Sequence, residues 1–234
     1  MPQAKDEVDL FDGSDGATIV YSKSVFEKEG RSFDTNRPGF YDQLKRTLDV
    51  VGAAILLLVL LPLILFVALC VRLTSRGPVV FSQKRLTMNG RVFNIYKFRT
   101  MVLDAEAGGK AVLAKKNDLR VTWVGRYLRL CRLDELPQLV NVLLGDMSMI
   151  GPRPERPEIA EYLVKQYPSF NKRLKVKAGL TGLAQTTSGY AGDDESYRKK
   201  IALDVLYVRN YCFWLDLKIG LKTILVVLTG FGAR

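Results

Sequence analysis

The chain has 234 residues, 48% of them hydrophobic, and a formal net charge of +11, which is enough for one ordinary domain with a core. It has no histidine, which removes imidazole as general base and metal ligand. Its three cysteines, Cys70, Cys131 and Cys212, show no CxxC spacing, so neither a disulfide framework nor a zinc site is indicated.

Residues 1–40 carry five basic and eight acidic side chains. Their Gly, Asp, Ser and Lys follow no period, so a mostly disordered tail is expected, with a short ordered patch near Thr18–Tyr21. The remainder then carries +14, a surface suited to anionic headgroups and a nucleotide diphosphate. Without a nucleic-acid fold or aromatic RNA-binding motif, no nucleic-acid partner is expected.

Residues 41–76 read as a membrane helix. Val50 to Val71 is 22 residues without a charge, and at ~1.5 Å per residue such a helix crosses a ~30 Å hydrocarbon layer. Helix is expected from Lys45 to about Thr74, interrupted near Pro62. Lys45 and Arg46 precede the apolar run; Arg72 and Arg76 follow it. Basic flanks at both ends fit a segment that turns back to the cytosol, with Pro62 as the break. Charge and proline alone leave a crossing helix equally open. Arg46 and Asp49 are expected at the headgroup boundary, paired with each other or, for Arg46, with lipid phosphate.

Residues 77–234 read as the cytosolic part. Val79–Leu86 and Arg91–Arg99 look like two short strands joined at Asn89-Gly90. Asp104 to Leu119 is polar and reads as a lid. Helices are expected at about 122–131, 135–144, 157–167 and 195–210. Tyr211 to Leu228 mixes Phe213, Trp214 and Leu215 with Lys218 and Lys222, an interfacial pattern.

The stretch from Leu133 to Pro154, LDELPQLVNVLLGDMSMIGPRP, carries the chemistry. Asp134 and Glu135 precede leucines and valines at helical spacing, with Pro137 in the first turn and Gly145 at the stop. At a helix N-terminus, backbone N–H groups favour anions, phosphate included. Arg126, Arg129, Arg132 and Arg153 surround the pair. The plain alternative is an acidic helix start.

The wider string resembles the signature of the bacterial sugar transferases, membrane-bound phosphoglycosyl transferases that begin exopolysaccharide, capsule and O-antigen assembly. Further blocks agree: Lys45-Arg46-x-x-Asp49, Gly77-Pro78, Phe81-x-Gln83-x-Arg85, Lys97-Phe98-Arg99-Thr100-Met101, Gly179 to Gln185, Asp204-x-x-Tyr207 and Asp216-Leu217-Lys218. The resemblance covers roughly residues 41 to 229.

It implies an α+β, mostly helical, membrane-associated fold with a proline-broken re-entrant N-terminal helix, a small β-hairpin and interfacial amphipathic helices. The implied place is the cytoplasmic face of the bacterial inner membrane, held monotopically. The implied reaction passes a sugar-1-phosphate from a UDP-sugar to polyprenyl phosphate and releases UMP, with Asp134 as nucleophile and Glu135, together with Asp134, binding Mg²⁺. Arg153 and Arg129 match phosphate-holding residues; Lys97 and Arg99, at alternate positions on the second strand, either face the same pocket or are solvated. Asp146 is read as orienting an arginine or the metal shell, or as capping the next turn. Asp204 matches a family aspartate without an assigned role. The competing reading is a non-catalytic membrane scaffold that binds lipid phosphate or a partner enzyme. A homodimer and the identity of the sugar are left open.

Three places depart from the family pattern. Thr87 stands where glycine is usual, and Ala178 where proline is usual. Thr186 to Tyr190 replaces a Gly-Arg pair, so contacts there do not carry over.

Overall fold

Ala53, in the first half of the N-terminal helix, is fully buried against Phe93, Ile95, Leu139, Val142, Met147 and Ala178. That contact sets the architecture: a long helix lies against a β-hairpin and a short helix. The computed structural model describes residues 39–103, 105, 118–188 and 194–229. The tail with its patch at 18–21, and most of the segment read as a lid, lie outside the described residues.

The helices are α1 (Phe40–Thr74), α2 (Trp123–Leu130), α3 (Gln138–Leu144), α4 (Pro157–Gln166), α5 (Leu183–Thr187), α6 (Asp194–Asn210) and α7 (Phe213–Thr229). The strands are β1 (Val80–Leu86), β2 (Val92–Phe98), β3 (Met147–Ile150) and β4 (Ala178–Thr181). The chain is thus mostly helical with a small β content, as expected.

Among the described residues, α1 is the one helix long and apolar enough to cross a membrane. The helix runs through Pro62, where an interruption was expected. Proline deletes one backbone bond and crowds the preceding turn, which a 35-residue helix held on both sides of the proline can absorb. Ala53 packs before it, and Val67 and Val71 pack after it against Phe98 and Leu128. Most of α1 stays uncovered, with Leu58, Val59, Leu65, Phe66, Leu69 and Leu73 all exposed.

β1 and β2 pair antiparallel from Val80↔Phe98 to Leu86↔Val92. Asn89 (φ 58°) and Gly90 (φ 73°) supply the left-handed turn conformations, which suits an Asn-Gly pair. The second sheet was not anticipated: β3 and β4 pair in parallel, Met147 opposite Ala178 and Ile150 opposite Thr181. Each has four residues, too few to show a period of two.

The first two family departures meet in space. Thr87 Oγ1 accepts from the Ala178 N–H at 3.2 Å and donates to the Asp146 carbonyl at 2.7 Å. Alanine in place of proline brings a buried N–H that needs a partner. Threonine in place of glycine brings the oxygen that takes it.

The two ends of the described chain are tied together. Asp216 on α7 accepts from Tyr41 Oη (2.7 Å), Lys45 Nζ (2.5 Å) and Tyr207 Oη (2.8 Å). Beyond this tie α7 exposes Trp214, Leu221, Ile224, Leu225 and Leu228.

Candidate active site

The Asp134-Glu135 pair does not open an α-helix, as the spacing had suggested. Arg132 takes a left-handed conformation (φ 56°), Leu133–Glu135 forms a single 3₁₀ turn, and α3 starts only at Gln138. Pro137 is the cause: it has no N–H to donate, so regular i→i−4 bonding begins after it. α3 has seven residues, and cationic side chains take the place of the expected helix terminus around the carboxylates.

Glu135 is clamped. Arg153 makes a forked contact, Nη2 to Oε1 at 2.5 Å and Nη1 to Oε2 at 3.2 Å, and Lys97 Nζ reaches Oε1 at 3.1 Å. Burial pushes this carboxyl up, but Arg153 and Lys97 outweigh it and hold the group well below the usual carboxylate range. Lys97 is itself pulled down by burial, partly offset by Glu135.

Asp134 is the opposite case. It is 8% exposed, and among the described residues no hydrogen bond or ion pair engages its carboxylate. Burial raises its carboxyl above the ordinary value; Lys97 and Arg129 pull it back only in part, and Glu135 adds to the rise. Two adjacent carboxylates are thus driven apart, one strongly paired and one desolvated and unpartnered, the arrangement that assigns different chemical roles to like groups.

The family described as bacterial sugar transferase matches residues 40–230. The chain belongs to the bacterial sugar transferase family. Proteins similar to this chain include an Aeromonas hydrophila UDP-N-acetylgalactosamine-undecaprenyl-phosphate N-acetylgalactosaminephosphotransferase, 45% identical over 83% of this chain and 46% of the relative. A Klebsiella pneumoniae UDP-glucose:undecaprenyl-phosphate glucose-1-phosphate transferase is 42% identical over 82% of this chain and 42% of its own length. A Caulobacter vibrioides enzyme of the same name is 44% identical, covering 80% and 71% respectively. The chain spans less than half the length of the first two.

The remaining expected residues divide. Arg129 lies among the charges acting on Asp134, and its Nε donates to Thr100 Oγ1 at 2.9 Å. Arg99 does not join Lys97 at the carboxylates. β2 ends at Phe98, so the alternation stops there, and Arg99 Nη2 instead binds the Ser75 carbonyl and Oγ, both at 2.7 Å, holding the far end of α1. Arg46 and Asp49 do not pair with each other. Arg46 caps the C-terminus of α3 through the Val142 and Leu143 carbonyls (2.7 and 3.0 Å), where a cation also meets the negative helix end. Asp49 is 6% exposed and accepts from the Met149 N–H at 2.9 Å. Both dock α1 onto the domain. Asp146 orients an arginine, Arg91, at 2.8 Å.

Arg85, which supports the Arg153 turn, and the neighbouring charged network of Glu155, Arg173 and Lys200 were missed in the sequence. Arg85 is lowered to about 10 by burial and donates to the Pro154 carbonyl at 3.4 Å. Arg85 lies in a family block, and Glu155 directly follows Gly-Pro-Arg-Pro, which were the available signals. Among the described residues no group of three or more His, Cys, Asp or Glu could hold a metal. Mg²⁺ binds with one or two carboxylates plus substrate phosphates and water, and the Asp134–Glu135 pair with its unpartnered Asp134 fits that donor set.

Proposed function

We propose that this protein transfers a sugar-1-phosphate from a UDP-sugar to polyprenyl phosphate through a covalent intermediate on Asp134. The buried, unpartnered Asp134 carboxylate beside a cation-clamped Glu135 carries the reading. A carboxylate oxygen of Asp134 attacks the β-phosphorus of the donor. The bond from that phosphorus to the bridging oxygen breaks, and UMP leaves with the oxygen. An oxygen of polyprenyl phosphate then attacks the phosphorus of the aspartyl ester, and Asp134 departs as carboxylate. The acceptor is already anionic, so a chain without histidine lacks nothing here.

Arg153 and Lys97 supply positive charge where the transferring oxygens gain negative charge. In the free protein they rest on Glu135, and the incoming diphosphate competes for them. Asp134 and Glu135 would hold Mg²⁺, which neutralises charge on the diphosphate when bound.

Given UDP-sugar and no lipid, the enzyme is expected to release one UMP per site and gain the mass of a phospho-sugar on the peptide holding Asp134. UMP that appears only after lipid is added, with no adduct, points to direct transfer. No UMP under any condition points to a scaffold. Release that persists in excess EDTA removes the metal role.

α1 and α7 expose many large apolar side chains, Leu58, Phe66, Leu69, Leu221, Ile224 and Leu228 among them, and such a surface suits lipid. The basic flanks favour a segment that re-enters the cytoplasmic face of a bacterial inner membrane, and so does the packing of residues from both sides of Pro62 on the same domain. Single cysteines at exposed sites near residue 42 and near residue 90, in a background without native cysteines, should both escape an impermeant thiol reagent in intact cells. Labelling near residue 42 alone would establish a crossing helix.

A further inference from the structure

Below the Gly-Pro-Arg-Pro turn lies a charged cluster that the reaction does not use. Arg173, in the 3₁₀ segment Pro168–Lys175, is 3% exposed and Asp204 on α6 is 1% exposed. Arg173 Nη2 sits 2.8 Å from Asp204 Oδ2, and its Nη1 lies 3.8 Å from Glu155 Oε1. Glu155 is paired with Lys200 as well. Removing such charges from water is expensive, and a well-packed apolar replacement is often neutral or better. Stability alone therefore gives a weak reason for this network.

Its geometry gives a stronger one. The same Nη2 donates to the main-chain carbonyl of Arg153 at 2.5 Å. The turn is fixed on one side by β4, through Gly151 N–H to the Thr181 carbonyl (2.8 Å) and Gly179 N–H to the Pro152 carbonyl (2.9 Å). On the other side Leu86 N–H holds the Glu155 carbonyl at 2.9 Å. Between these points, residues 153 and 154 are held at their carbonyls by Arg173 and by the long 3.4 Å contact from Arg85. Arg173 is the short tie, at the residue whose side chain forks onto Glu135.

We infer that Arg173, at ion-pair distance from Asp204, is a positioning residue that sets the direction of the Arg153 guanidinium toward the donor diphosphate. This rests on the proposed function, in which Arg153 contacts the diphosphate. It also gives Asp204, a sequence match without an assigned role, a definite one. Arg173 itself is too buried to meet substrate.

The test is a double-mutant cycle on UDP affinity, measured by calorimetry on the full chain in detergent. Arg173→Lys keeps the charge opposite Asp204, but a single ammonium cannot serve the carbonyl and two carboxylates as a planar fork does. UDP affinity should fall about tenfold, as for loss of one hydrogen bond to a charged group. In an Arg153→Ala background the same change should have no further effect, because the coupled residue is gone. Arg173→Met combined with Asp204→Asn removes the pair without leaving a lone buried charge, and should show the same dependence on Arg153. Wild-type affinity in Arg173→Lys, or an equal loss with and without Arg153, overturns the inference. A wild-type protein that binds no UDP overturns the proposed function and this inference together.

Discussion

Asp134→Asn is expected to cut UMP release from a UDP-sugar by on the order of 10³-fold or more, the scale of losing a covalent nucleophile. The same change should leave the protein folded and, at neutral pH, slightly more stable. Burial raises the Asp134 carboxyl above its ordinary value, with Lys97 and Arg129 opposing only in part. A carboxyl with a raised folded pKa contributes stability at pH values below its unfolded value, about 3.9, and loses that contribution as pH rises through the folded value. Once ionised, the buried group is therefore a cost, and asparagine removes it while keeping the shape. The gain in melting temperature over wild type should shrink as pH falls toward the ordinary carboxylate range. Glu135 has the reverse sign: Arg153 and Lys97 overcome its burial and lower its carboxyl, so its contribution is present at neutral pH and lost on acidification. Melting scans and UMP assays of Asp134→Asn across pH test both halves. A variant that releases UMP normally sinks the nucleophile assignment; one that folds but melts well below wild type at neutral pH sinks the account of its burial.

The parts of the site that were legible in the sequence are those whose signal is local. Asp134 and Glu135 stand side by side, Asn89-Gly90 announces its own turn, and Lys97 and Arg153 sit inside recognisable blocks. What could not be read depends on distant partners. Arg46 finds the carbonyls of Val142 and Leu143, and Asp49 finds the amide of Met149, across about a hundred residues. No spacing within α1 encodes that, so both looked like headgroup residues. Lys97 and Arg99 differ because β2 ends between them, and strand ends are the least certain feature of a short alternating pattern. Pro137 was legible as a first-turn proline, but its effect, displacing the carboxylates into a 3₁₀ turn, depends on which N–H groups find partners. The parallel pairing of β3 and β4 was invisible because a four-residue strand becomes one only when its partner arrives.

That last pairing leads to the second large expected effect. Gly179→Ala should destabilise the protein by about 3 kcal/mol, the upper range for overpacking, and abolish UMP release by whatever remains folded. A Cβ on residue 179 would lie 2.1 Å from the Gly151 nitrogen, 2.4 Å from its oxygen and 2.5 Å from its Cα. All three are backbone atoms, so no side-chain rotation relieves the clash. β3 and β4 must separate, or the chain at 151 must move. Either movement strains the bond from Gly179 N–H to the Pro152 carbonyl at 2.9 Å, one residue from Arg153. The displacement therefore reaches the arginine that forks onto Glu135. Gly52→Ala is the matched control: a Cβ there meets nothing within 4 Å, and alanine in a helix interior gains roughly 0.5–1 kcal/mol over glycine. Thermal melts and UMP assays of the two variants should separate widely. Near-normal melting and activity in Gly179→Ala would mean that the contact between the two glycine backbones is not what holds the Arg153 turn.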